Sequence, residues 1–136
     1  MSCETEKLTI NLGVVELAQI DVLVEQGIFS NRSDFIRSAI RRDLEEHHEN
    51  MERQLTPISS KKNWVKSIGI WIVNKDALEE LAEESGEKLN ISVIGMLVFD
   101  QSITLELFEK TVRKVILRGK LVASDEVKEA IHRMNA

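Results

Sequence analysis

Residues 6 to 13, EKLTINLG, alternate strictly: Leu8, Ile10 and Leu12 are apolar, and Lys7, Thr9 and Asn11 between them are polar. Period two with β-branched residues predicts a half-buried strand. No hairpin partner flanks it. Six residues precede it, and Gly13 opens a helical pattern. A lone strand leaves unpaired N–H and C=O groups on both edges, so its partner is a distant segment of this chain or a second copy of it. After Gly13 the period changes: Leu17, Ile20 and Val24 fall at helical spacing, and Gly27 stands where a C-cap glycine belongs. In the next run Asn31 and Asp34 have the spacing of a capping box, with Asp in place of Glu or Gln. Phe35, Ile36, Ala39, Ile40 and Leu44 follow as an i, i+4 stripe, which His48, Met51 and Leu55 extend into a longer helix. TPISSKKN, 56–63, breaks the pattern and holds the single proline, so it reads as a linker between domains 1–55 and 64–136.

The second half has a different pattern. GIWIVNKDAL begins at Gly69, GMLVFDQSIT at Gly95 and GKLVASDEVK at Gly119. Each has glycine, an apolar run, a polar break, and an apolar residue opening a helical stretch. The last two copies agree further upstream, where Ile91 and Val93 precede Gly95 as Val115 and Leu117 precede Gly119. Self-similarity at intervals of 26 and 24 residues predicts stacked strand-plus-helix units of a leucine-rich-like kind, with helices over 77–85, 105–111 and 126–134. The competing reading is an ordinary small α/β domain whose strands merely look alike. In the repeat reading the three glycines occupy equivalent places on adjacent parallel strands, and Trp71, Leu97 and Leu121, each two residues further on, share one inward face. The end strands then need a cover: the last helix or another chain.

The chain has 136 residues, 43% hydrophobic and 30% charged, enough for a small core. One cysteine, Cys3, excludes an internal disulfide and every multi-cysteine metal motif. No apolar run approaches the ~18 residues of a membrane span, and MSCETEK lacks a signal-peptide core. A soluble, cytoplasmic protein without membrane association is expected. No phosphate-loop, dinucleotide or nucleophile-elbow pattern occurs, so an enzyme is not expected, and neither is a cofactor.

The layout of a single strand and two helices joined by a Gly-containing turn, with KLTINL for the strand and GIFSNRSDFIRSAIRRDL for the turn and second helix, resembles the ribbon-helix-helix repressor superfamily. The likeness covers Lys7 to Leu44, and the second helix is especially similar to that of the nickel-responsive repressor. The resemblance implies an α+β protein in which two chains pair their strands into an intermolecular antiparallel ribbon over four helices. Leu8, Ile10 and Leu12 would then point onto the helices, each stabilising the dimer by roughly 1.5–3 kcal/mol. It further implies that Lys7, Thr9 and Asn11 read base edges of double-stranded DNA in the major groove. Their chemistry suits that role: Asn bridges adenine N6 and N7, Thr offers a hydroxyl and a methyl, and Lys donates to guanine. Asn31, Arg32 and Ser33 open the second helix, where free backbone N–H groups can grip a phosphate. The alternative for the strand is a solvated outer face of a dimerisation module.

Charge runs against DNA. Residues 1–55 hold six Lys or Arg against eleven Asp or Glu, so the whole net charge of −5 lies in that half. Non-specific affinity should be weak and binding should rest on a few well-placed groups. No metal is expected either: His47 and His48 are adjacent and diverge by about 100° on a helix. His132 stands alone in 64–136, so the likeness to the nickel repressor stops at the first domain. The expected protein is a homodimeric DNA-binding regulator, a repressor. Its C-terminal domain would serve effector sensing, partner binding or oligomerisation, giving a tetramer or a dimer with extra C-terminal contacts. Its rival is an antitoxin-like or scaffold interaction module, in which the N-terminal domain only dimerises.

Overall fold

The computed structural model describes residues 5–55 and 63–135 and divides the chain into two compact units, residues 1–47 and 48–136. Of the linker expected at 56–63, all but Asn63 lies outside the described residues, as does Cys3. The chain is α+β.

The first unit is two helices, α1 (Val14–Glu25) and α2 (Arg32–Glu46). Gly27 adopts φ +76° past the α1 C-cap, and its N–H and that of Ile28 reach back to the Val24 and Leu23 carbonyls. That pair of bonds is the αL helix stop the glycine predicts. Asn31 caps α2 by accepting from the Asp34 N–H at 2.8 Å, while the Asp34 carboxylate accepts from the Ser30 N–H at 3.0 Å. Asp is shorter than Glu, and it satisfies the donor one residue before the cap. Phe29 and Phe35 stack edge to face across the turn, their centroids 5.1 Å apart. Residues 5–13 are assigned no strand, having no ladder partner among the described residues of a single chain.

The stripe expected to run on to Leu55 is interrupted. α2 stops at the His47 C-cap, and α3 (His48–Leu55) starts afresh. α3 packs on the sheet of the second unit and buries Leu55 there, so its contacts group it with residues 64–135 rather than with α2.

The second unit alternates strand and helix: β1 (Trp64–Val73), α4 (Lys75–Ser85), β2 (Leu89–Phe99), α5 (Leu105–Thr111), β3 (Val112–Val122) and α6 (Asp125–Asn135). The strands form a parallel sheet in the order β1-β2-β3. The register pairs Gly69 with Gly95 and Gly95 with Gly119, and Trp71, Leu97 and Leu121 lie in one row. Leu97 is fully buried, and Trp71 and Leu121 pack against the same core. Phe99 and Phe108 meet edge to face inside it. Five residues past each glycine comes a polar residue, Asn74, Asp100 or Ser124. Asn74 and Ser124 cap α4 and α6 directly, through Ala77 N–H and Val127 N–H. In the middle copy Asp100 instead accepts from Ser102 in a turn, and Thr104 caps α5.

The glycine row is a steric requirement. Gly95 and Gly119 take φ +132° and +137°, and a Cβ on either would lie 2.0 or 1.8 Å from the carbonyl oxygen of the preceding strand's glycine. No side chain fits against a backbone carbonyl at that distance.

Candidate nucleic-acid interface

Leu8, Ile10 and Leu12 are 83%, 53% and 38% exposed in the single chain. Burial at an ordinary core position removes such side chains from water. Below them the first unit holds an open apolar groove of about 650 Å³. Ile10 and Leu12 form one side, Ile20 and Leu23 of α1 and Phe35, Ile36, Ile40 and Leu44 of α2 the rest. The α2 stripe read from the sequence is therefore the wall of a groove, and none of α2 is fully buried. Ile40 and Leu44 remain more than half in solvent or at its margin, as do Val14 and Val15.

Lys7, Thr9 and Asn11 alternate with the apolar row, are exposed, and take no part in lining the groove. Asn31, Arg32 and Ser33 stand together at the α2 N-terminus, exposed. The Asn31 side chain is committed to Asp34. The backbone N–H groups of Arg32 and Ser33 are first-turn donors with no intrahelical acceptor, at the positive end of the helix dipole.

The partner of Arg32 leaves no trace in the sequence pattern. Its Nε donates to Asp21 Oδ1 at 2.7 Å and its Nη2 to Asp21 Oδ2 at 2.9 Å, a bidentate pair between α2 and α1. The hydrogen bond from Arg32 holds the Asp21 carboxyl below the usual carboxylate range and raises the Arg32 guanidinium. The Arg32 side chain thus faces a carboxylate of its own chain.

His47 meets the Asp43 carbonyl, and His48 pairs with Glu52 at 3.2 Å. Among the described residues no three His, Cys, Asp or Glu side chains come together as metal ligands. No helix among them is long and apolar enough to cross a membrane.

No solved structure gives a significant match to the chain. The transcriptional regulator CdrS of Halobacterium salinarum is 33% identical over 61 residues, 45% of this chain and 96% of that protein. More than half of this chain therefore has no counterpart in that relative. Residues 3–128 match the Ribbon-Helix-Helix transcriptional regulator family, across both units. The chain belongs to that family of transcriptional regulators.

Proposed function

We propose that two chains pair residues 7–12 as an antiparallel ribbon and bind double-stranded DNA as a sequence-specific repressor. The observation that carries this reading is the exposed apolar row Leu8, Ile10 and Leu12 beside an open apolar groove. A second copy closes the groove and supplies the missing ladder partner in one step. The row between, Lys7, Thr9 and Asn11, then faces the major groove, a width that accepts a two-stranded ribbon. The α2 N-terminus anchors a phosphate through the Arg32 and Ser33 N–H groups. The second unit is a three-copy β/α stack that serves effector sensing, partner binding or further oligomerisation.

Selection of bound sequences from a random DNA pool tests this. The wild-type chain should enrich a short, two-fold related operator. A chain with Lys7, Thr9 and Asn11 all replaced by Ala should lose that enrichment, and retention of the same operator would remove these residues from base reading.

The acidic balance of residues 1–55 favours a second reading, a protein-interaction module whose N-terminal unit only dimerises. Failure of the wild-type chain to enrich any sequence at low salt would select it.

A further inference from the structure

The sheet of the second unit has two unlike faces. α4, α5 and α6 cover the one that carries Ile91, Leu97 and Phe99. Parallel sheets are found with both faces covered, because both are apolar. The opposite face is covered only in part. At its N-terminal half Asn90 and Ser92 are buried, and α3 lies over Lys66 and Ile68 through His48, Glu52 and Leu55.

Among the described residues of this unit, nothing covers the C-terminal half. Its two rows are Ile70–Met96–Lys120 and Ile72–Val98–Val122 in register. Ile70, Ile72 and Val122 are 48%, 44% and 38% exposed, and they are the large hydrophobic side chains most exposed among the described residues of this unit. All three fall on this face.

We propose that this half-face seats the same half-face of a second copy, the one already held through the N-terminal ribbon. The inference rests on the dimer reading above. Size decides the occupant. Three strands at ~4.8 Å by two alternate residues at ~6.6 Å make about 200 Å². A free partner needs about 800 Å² a side for a stable complex. A copy tethered through the ribbon needs far less, since its effective concentration is on the order of millimolar.

Charge decides the orientation. Within and beside the C-terminal half of this face the cations stand on β3, at Arg118 and Lys120, while Lys66 of β1 lies at the end beside α3. A two-fold axis along the strand direction sets each β1 against the partner's β3. Each Lys120 stem then lies along isoleucines and its ammonium reaches the rim, while like charges stay apart. The same axis brings Met96 opposite Met96 of the partner subunit.

The test is disulfide cross-linking of the full chain in a Cys3→Ser background. Met96→Cys should oxidise to a covalent dimer, to an extent independent of protein concentration. Glu83→Cys, on an exposed face of α4, should give none. Val98→Cys, in the same column, replaces Met96→Cys if circular dichroism shows that the latter does not fold. Mass in solution without oxidant is measured alongside. A chain dimeric by mass whose Met96→Cys and Val98→Cys variants cross-link no better than Glu83→Cys overturns this arrangement, leaves the ribbon dimer standing, and gives the face to a different protein. Cross-linking that rises with protein concentration overturns the tethered arrangement. A monomer by mass overturns the ribbon dimer and this inference together.

Discussion

Asp21 sets what Arg32 can do. The two are eleven positions apart and both half in solvent, so their pairing tightens α1 against α2 only modestly, as exposed ion pairs do. Its pH dependence has a fixed sign. Asp21's carboxyl is lowered in the folded chain, so the contribution is complete above the ordinary carboxylate pKa and is lost as pH falls through the lowered one. Acid titration of unfolding should therefore show wild type and Asp21→Asn separated by a full, constant gap above about pH 4 that closes as pH falls below it. A gap that stays open at low pH would show that the pair does not titrate with folding. The same substitution releases a cation beside the α2 N-terminus, so Asp21→Asn should raise non-specific DNA affinity and steepen the salt slope by about one unit per subunit. Asn11→Ala should instead cost roughly 1–3 kcal/mol at the operator alone, relaxing preference at one position. The glycine row offers a matched pair. Gly69 has φ +112° with nothing within 4 Å of an added Cβ, whereas a Cβ added to Gly95 would lie 2.0 Å from the Gly69 carbonyl oxygen. Gly69→Ala should cost only the ~1–3 kcal/mol of strained backbone, and Gly95→Ala clearly more, because a carbonyl must also move. Equal losses by chemical denaturation would deny the close approach.

At the scale of elements, the row Trp71–Leu97–Leu121 shows how the sheet holds together. Leu97 has a strand on either side and is fully buried, while its neighbours each lack one flank. Leu97→Ala should cost about 2–5 kcal/mol and Leu121→Ala less, read from denaturant midpoints at unchanged slope. Much of this unit was legible in its sequence, because a glycine, an apolar run and a polar cap recur in order. The register of Gly69, Gly95 and Gly119 follows that recurrence strand by strand. Their positive φ was not legible, since glycine accepts either sign and only the neighbouring carbonyl decides. The stop at His47 was not legible either. Glu45, Glu46, His47 and His48 include no glycine or proline, and the break comes from α3 packing on β1 and β2, a tertiary contact that overrides local propensity. The Arg32–Asp21 pair left no periodic trace, because both residues are exposed and belong to different helices. For residues 7–12 the alternation was legible, while a strand there still needs a partner. Alternation marked its apolar side, and the groove beside Ile10 and Leu12 lies on that side.

For the whole molecule, the distribution of exposed apolar residues and the charge point to assembly before DNA. Ile10, Leu12, Ile40 and Leu44 line one groove, Leu8 continues the apolar row beyond it, and a lone chain leaves them to water. At about 25 cal/mol per Å² of apolar surface, closing such a groove stabilises the first unit. The net charge of −5 lies in residues 1–55, so in the proposed complex DNA would not hold two chains together by general attraction, and the proposed dimer would have to form on its own apolar contacts. Folding of residues 1–47 should then be coupled to association. Each tenfold rise in protein concentration should stabilise the folded dimer by about 1.4 kcal/mol of dimer, moving the denaturant midpoint upward. The second unit has its own core, centred on Leu97 and Phe108, so its unfolding need not move in step. Circular dichroism follows both units. Trp64 and Trp71 both belong to the second, so tryptophan fluorescence reports on that unit alone. Over a hundredfold range of concentration the first transition should shift at every step. A midpoint that stays fixed across that range, with mass measurements showing a monomer, would leave residues 7–12 without a partner strand and remove the ribbon on which base reading depends.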